Sequence, residues 1–372
     1  MTVLVTGAAG FVGQHVAEAL GRAGHTVLAA DADTPAADLR THLLAADAVV
    51  HLAGANRPDD PADFARVNTG LVETMVADLT AAGRAPAVLL SSSTQAEADN
   101  PYGRSKRAAE EALARYAGAA GAAGAAVTVF RLPNLFGKWS RPNYNSVVAT
   151  FCHNAARGLP LQVDSPARTV SLAYIDDVVA AFLDALAAPG APGTIAFRDV
   201  GPVTTVALGD LAAQVEAFAG HRTSLRLPDF STRFTTQLYA TYLAALPKDA
   251  LSYPLTVFRD ARGSLAEFVK SPASGQIFVS RTVPGVTRGN HFHHTKTEKF
   301  LVLEGDAVVR LRPILGGDTV EIPVAGTDYR VVDIPPGMTH SIENVGAGEM
   351  VVLFWASEIF NPDRPDTAML DV

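Results

Sequence analysis

Up to about residue 245, short β-branched apolar runs alternate with Ala-rich stretches of helical spacing. The runs at 3–6, 27–30, 48–52 and 87–91 are each followed by a helix-like segment. That alternation predicts an α/β, Rossmann-type doubly wound parallel sheet with helices on both faces. From about residue 253 the pattern changes, and strand-like runs at 276–281, 299–303, 307–311, 329–334 and 350–355 follow one another across Gly, Pro, Asn and Asp turns. Helical periodicity is nearly gone there, which predicts an antiparallel sandwich or barrel. Two prolines in 246–254 mark a linker, so the expected domains are 1–247 and 254–372. The Ala/Gly repeat at 117–126 reads as a helix tail and loop without chemistry.

Composition narrows the class. At 372 residues and ~150 per domain, two domains can each bury a core. An apolar fraction of 48% with 18% charged residues excludes a mostly disordered chain. No apolar run approaches the ~20 residues that span a bilayer, and no signal peptide precedes the first strand. Cys152 is the only cysteine, which rules out an internal disulfide framework or thiolate cluster. A net charge of -8 disfavours nucleic acid as a partner. The expectation is a cytoplasmic, soluble protein with no membrane partner.

The first strand runs into Gly7-Ala8-Ala9-Gly10-Phe11-Val12-Gly13, a GxxGxxG turn that opens a helix. Glycines at that spacing let backbone N–H groups approach a pyrophosphate at the helix's positive end. Asp31 ends the second strand, where a carboxylate accepts from the adenosine ribose and repels a 2′-phosphate. The residues alone therefore favour NAD over NADP. Further on, Tyr102 and Lys106 form a YxxxK pair that a helix places on one face. Lys106 can lower the phenol's pKa and hold a ribose, so that Tyr102 protonates a carbonyl oxygen as hydride arrives. Ser91, Ser92 and Ser93 end the preceding strand at its carboxyl edge, and Ser93 is the choice for a hydrogen bond to the same oxygen.

With these motifs the first segment resembles the extended short-chain dehydrogenase/reductase family. The resemblance also rests on His51-Leu52-Ala53-Gly54, on Asn68, on Arg131-Leu132-Pro133-Asn134 and on Tyr174-Ile175-Asp176-Asp177. It implies a nucleotide-diphosphate sugar substrate, with Leu52, Ala53 and Asn68 at the cofactor and Arg131 and Asn134 at the substrate. Dehydratases of the family carry an Asp-Glu pair where this chain has Thr94-Gln95, so reductase or epimerase remains.

In the second segment the spacing is Gly285-x5-His291-x-His293-x4-Glu298-x6-Gly305, followed by Pro335-x-Gly337-x2-His340-x3-Asn344. On a strand, His291 and His293 share a face. Glu298 and His340 would complete a three-histidine, one-carboxylate set suited to Zn, Fe, Mn or Ni. These segments resemble both cupin motifs, and 260–267 is similar to the opening of sugar-nucleotide epimerase cupins. Such chemistry needs a base, a proton donor and stabilisation of an enolate next to a 4-keto group. His294, Lys296 and Tyr329 are candidate proton carriers that spacing does not separate.

Taken whole, with the phrases at 134–146 and 289–300, the chain resembles the CapF-type family of capsular polysaccharide biosynthesis enzymes. The resemblance implies C3 epimerisation of a UDP-2-acetamido-2,6-dideoxy-4-keto-hexose by the cupin. Reduction at C4 would follow in the first domain, giving the L-talose-type sugar on the route to UDP-N-acetyl-L-fucosamine. It further implies NADPH, zinc in the cupin and a homodimer formed through that barrel. Asp31 and Asp33 stand where an NADPH user would present a basic side chain, so NADH use is the competing expectation, with Arg57 a candidate for supplying the missing positive charge.

Overall fold

The computed structural model describes residues 1–119 and 124–372. The reading of 117–126 falls partly on 120–123, outside the described residues. The chain divides into two compact units, one of residues 1–216 with 236–246 and one of residues 217–235 with 247–372.

The first unit alternates strand and helix: β1 (Thr2–Thr6), α1 (Phe11–Arg22), β2 (Thr26–Ala30), α2 (Ala36–Ala45), β3 (Ala48–His51), α3 (Gly70–Ala81), β4 (Ala87–Ser93), α4 (Pro101–Ala119) and β5 (Val127–Leu132). There follow β6 (Asn134–Phe136), α5 (Val147–Ala155), β7 (Thr169–Tyr174), α6 (Ile175–Ala187), β8 (Ile195–Arg198) and β9 (Val203–Ala207). The division between units falls inside α7 (Leu208–Ser224), and α8 (Arg233–Ala244) returns the chain to the first unit. As the alternation predicts, the main sheet is parallel, in the order β2-β1-β3-β4-β5-β8. A small sheet β6-β7-β9 stands apart from it.

The strands are apolar on both faces because each face carries helices. Leu4, Val49, Val88, Leu90 and Val129 pack with Leu43, Met75, Leu79, Leu113 and Tyr116 from α2, α3 and α4. Their neighbours Val3, Val5, Val50, Leu89 and Phe130 pack with Val16 and Leu20 of α1 and with Val178, Phe182 and Leu186 of α6. Odd and even strand positions thus feed opposite layers, as a period of two requires. The order reverses at β1 and β3, so the carboxyl ends of these strands open the crevice where α/β sheets take ligands.

The second unit is antiparallel: β10 (Val257–Asp260), β11 (Gly263–Ser271), β12 (Gly275–Thr282), β13 (Thr287–Phe292), β14 (Glu298–Glu304), β15 (Asp306–Pro313), β16 (Val320–Ala325), β17 (Val331–Ile334), β18 (Met338–Asn344), β19 (Met350–Ala356) and β20 (Ala368–Met369). One sheet runs β10-β11-β12-β19-β14-β17 and the other β16-β15-β18-β13-β20. Phe300, Val302, Val352 and Phe354 of the first share a core with Ala307, Val309, Leu311 and Ile342 of the second. Within the same unit, residues 225–227 pair with β11, where Lys270 N–H donates to the Leu225 carbonyl and Leu227 N–H to that of Lys270, both at 2.7 Å. The run expected at 329–334 begins two residues late, because Tyr329 has a φ of 47°, left-handed and incompatible with a strand. Among the described residues no helix is long and apolar enough to cross a membrane.

Candidate active site and metal centre

The glycine-rich turn is shaped by contacts that only hydrogen in place of Cβ permits. Gly7 has a φ of 67°, and a Cβ there would lie 2.8 Å from the Ala53 nitrogen. A Cβ on Gly13 would fall 2.0 Å from the Gly7 carbonyl oxygen. Gly10 begins α1 with no side-chain cap, which leaves the first-turn amides around Phe11 and Val12 open toward an anion. Across the crevice, the Leu52 and Ala53 amides both donate to Thr6 Oγ1 at 3.2 Å. The threonine's own proton then goes to His51 Nδ1, 2.8 Å away. His51 is buried, and burial followed by the nearby Lys106 drives its pKa down to about 3, so the ring is neutral. Asp31 braces the turn from β2, its Oδ2 accepting from the Ala9 amide at 2.7 Å. Arg57 does not join it, for its guanidinium donates to the Tyr144 carbonyl.

The proton-relay residues converge at the carboxyl end of β4. Ser93 caps a short turn over Thr94–Glu97, its hydroxyl accepting from the Gln95 amide at 3.2 Å. Asn100 Oδ1 caps α4 at the Gly103 amide, and Pro101 supplies a first helical position that needs no N–H. A Cβ on Gly103 would lie 2.2 Å from the Gln95 carbonyl oxygen, so this glycine lets the turn lie on the helix and brings Ser93 to Tyr102. Burial raises the phenol's pKa, and its bond with Ser93 opposes that rise. The lowering expected from Lys106 is not seen, and Tyr102 stays protonated at neutral pH. Lys106 lies 5.9 Å from the Tyr102 ring centroid and donates to the Ser91 carbonyl at 3.1 Å. Burial brings its pKa down to about 8, against the pull of Glu110.

Asn68 sits in a π-helical turn, Phe64–Thr69, of the kind that gathers at functional sites. It accepts from the Ala55 amide at 2.8 Å and donates to Ser105 Oγ at 3.0 Å, tying the end of β3 to α4.

The two residues expected at the substrate both have partners within the protein. Arg131 is committed to ion pairs, with Nε and Nη2 on the buried Glu110 carboxylate at 3.0 and 2.7 Å and Nη1 on Glu97 at 2.7 Å. Its donors are thereby engaged by two carboxylates of the protein itself. Asn134 is exposed at the start of β6, with Nδ2 3.4 Å from the Ser171 carbonyl. Glu110, which also accepts from Ser92, escaped the sequence reading, although it lies one helical turn beyond Lys106.

In the second unit His291, His293, Glu298 and His340 do come together, each offering one ligand atom, all within 4.8 Å of one another. His291 and His340 are cross-strand partners on β13 and β18, while Glu298 opens β14 in the facing sheet. His293 Nδ1 lies 2.6 Å from the Asp366 carbonyl and His340 Nδ1 3.3 Å from that of Met338. A carbonyl only accepts, so both rings donate from Nδ1 and turn the Nε2 lone pair inward. Those two Nε2 atoms are buried without a hydrogen-bond partner among the described residues, 3.3 and 3.2 Å from Glu298 Oε2. Three converging acceptors repel one another unless a cation sits between them. The donor set fits a divalent, borderline-soft metal. Burial, with His340 and His293 alongside, takes the His291 pKa down to about 4. His291 is thus neutral at neutral pH, as metal ligation needs.

The glycine-rich turn, the parallel sheet and the Tyr-x-x-x-Lys helix define a Rossmann-type enzyme of the short-chain dehydrogenase and epimerase class. Residues 3–196 match the NAD dependent epimerase/dehydratase family, and residues 258–368 match the polysaccharide biosynthesis C-terminal domain. A Pseudomonas aeruginosa protein named UDP-2-acetamido-2,6-beta-L-arabino-hexul-4-ose reductase is 43% identical across 99% of this chain and 98% of its own. The crystal structure of the capsular polysaccharide assembling protein CapF from Staphylococcus aureus, 42% identical, superposes over 100% of both chains with a TM-score of 0.91. UDP-glucuronic acid 4-epimerase from Bacillus cereus, at 18% identity and a TM-score of 0.56 over 66% of this chain and 96% of that one, shares the fold alone. The chain belongs to the NAD dependent epimerase/dehydratase family, in its CapF-type branch.

Proposed function

We propose that the chain is a bifunctional nucleotide-sugar enzyme. Its second unit, read as a cupin barrel, epimerises C3 of a UDP-2-acetamido-2,6-dideoxy-4-keto-hexose. Its first unit then reduces C4 with NADPH or NADH, giving the L-talose-type sugar on the route to UDP-N-acetyl-L-fucosamine. The observation that carries the reading is the meeting of Ser93, Tyr102 and Lys106 beside the glycine-rich turn, in a chain 43% identical to the Pseudomonas reductase.

The reduced nicotinamide, held by the turn at 7–13 and by Asp31, Leu52, Ala53 and Asn68, supplies the hydride when bound. Ser93 fixes the keto oxygen by a hydrogen bond. Tyr102, protonated because it is buried, gives that oxygen its proton. Lys106 holds positive charge beside the phenol as a phenolate develops. Asp31 presents a carboxylate and Arg57 is tied to Tyr144, which supports use of NADH.

In the second unit His291, His293, Glu298 and His340 would hold the metal, zinc by the donor set, which when bound supplies a Lewis acid for the 4-keto oxygen. Of the three candidate proton carriers, Lys296 is committed, its Nζ donating to the Pro365 carbonyl and Thr367 Oγ1 at 3.3 Å. His294 and the exposed Tyr329 remain for removing and returning the C3 proton. The binding of Lys296 also favours a second reading, in which the metal is structural, the second unit only joins two copies and the enzyme is a simple 4-ketoreductase. In both readings the enzyme works in the cytoplasm as a homodimer, and the stretch between residues 247 and 254 links its two domains.

The test supplies the 4-keto sugar nucleotide with NADPH or NADH, follows oxidation of the cofactor and reads the product by NMR. Oxidation matched by a product inverted at C3 is expected. Oxidation with C3 retained favours the second reading, and no oxidation with either cofactor overturns both.

A further inference from the structure

The histidine cluster is held by a segment remote from it in sequence. Asp366, 73 residues after His293, meets that ring through its backbone carbonyl. Its side chain grips the loop that follows the ligand: Oδ1 accepts from the His294 amide at 2.9 Å, and Oδ2 accepts from the Thr295 amide, the Thr295 hydroxyl and the Lys296 amide at 2.9 to 3.0 Å. The residue adopts a φ of 41°, a conformation that Asp and Asn tolerate and that lets one residue present carbonyl and carboxylate to the same loop. The flanking residues are fastened to the other ligands. Met369 and Ala368 pair with His291 and Phe292. Leu370 N–H donates to the Asn290 carbonyl at 3.0 Å, the Leu370 carbonyl accepts from Thr339 beside His340, and Arg312 donates to the Asp371 carbonyl at 2.7 Å.

We infer that residues 365–371 form a strap whose Asp366 is the positioning residue of the metal centre, fixing the His293 tautomer and the loop 294–296 so that the ligands are set before the cation arrives. This rests on the proposal that His291, His293, Glu298 and His340 hold a metal. Pre-set ligands lose less freedom on binding, and removal of such outer partners weakens metal affinity by roughly 10–100-fold.

The test measures zinc affinity of the full-length chain by competition with a chromophoric chelator, and the visible spectrum of the cobalt-loaded protein, for wild type, Asp366→Asn and Asp366→Gly. Both substitutions tolerate the left-handed backbone. The strap predicts roughly tenfold or greater loss for Asp366→Gly, a smaller loss for Asp366→Asn, which keeps one acceptor oxygen, and altered cobalt bands in the glycine variant. Affinities within threefold of wild type and unchanged bands overturn it. Should the variants not fold, amide exchange in the wild type decides: zinc must slow exchange at 294–296 and 368–370 together, and a response confined to the ligand strands overturns the strap. A wild-type chain that takes up no zinc, or an equally avid His340→Ala variant, refutes the metal site itself and the strap with it.

Discussion

Replacing Lys106 with methionine should stabilise the first unit while ending reduction. The ammonium is buried between β4 and α4, and burial takes its pKa from 10.5 to about 8. That shift is a penalty on the charged form of about 3 kcal/mol. Methionine has the same reach and no charge, and it forfeits the bond to the Ser91 carbonyl, worth about 1 kcal/mol. The net gain at pH 7 is then about 2 kcal/mol, and with a urea slope of roughly 3 kcal/mol/M the midpoint rises by roughly 0.7 M. The sign with pH follows from a lysine lowered on folding. The wild-type penalty is full below the folded pKa of about 8 and vanishes above the unfolded value of 10.5. By pH 9.5 about 2 kcal/mol of it has gone, so the variant's advantage closes to near zero. The assay is urea unfolding of both chains at pH 7 and 9.5, reading the transition that a nicotinamide dinucleotide shifts. A variant less stable than wild type at pH 7, or an advantage that does not change with pH, refutes the reasoning.

Tyr102→Phe should lower reduction by about 10²–10⁴-fold while leaving binding of the reduced dinucleotide, followed by fluorescence, nearly unchanged. Asp31→Ser should raise the NADPH/NADH ratio of kcat/KM by about tenfold, since it removes one negative charge from the ribose region. An unaltered ratio would show that Asp31 only braces the Ala9 amide. Glu110→Gln strips the Arg131 guanidinium of its buried partner and should cost about 3 kcal/mol in the same unfolding transition. A loss below about 1 kcal/mol would mean that Glu97 alone satisfies Arg131.

Much of the first unit was legible because its strands are buried on both faces and therefore read as continuous apolar runs between Ala-rich helices. Glycines at 7 and 13 were legible too, since their spacing encodes a close approach that the contacts at Ala53 and at the Gly7 carbonyl bear out. The histidine cluster could be read from strand alternation and the spacing to Glu298. What remained hidden are pairings between distant elements. Arg131 stands in a stretch that looks like substrate recognition, yet its fate is decided by Glu110 on another element. Arg57 is taken by a carbonyl at 144, and Asp366 gives no periodic or motif signal at all. Neither the π-helical turn that delivers Asn68 nor the pairing of 225–227 with β11 leaves a mark that single-sequence periodicity can register. The burial that raises the Tyr102 phenol leaves no mark in the sequence either, whereas the lysine four residues on does.

Solvent exchange at C3 tests the central claim of two activities on one chain most directly. The protein is incubated in deuterium oxide with the UDP-2-acetamido-2,6-dideoxy-4-keto-hexose and no reduced cofactor, and deuterium at C3 is followed by NMR. Incorporation by wild type and by Tyr102→Phe, lost in His291→Ala and His340→Ala, is the predicted result. No incorporation by a wild-type chain that still reduces the sugar once NADH or NADPH is added would contradict it and leave a reductase alone.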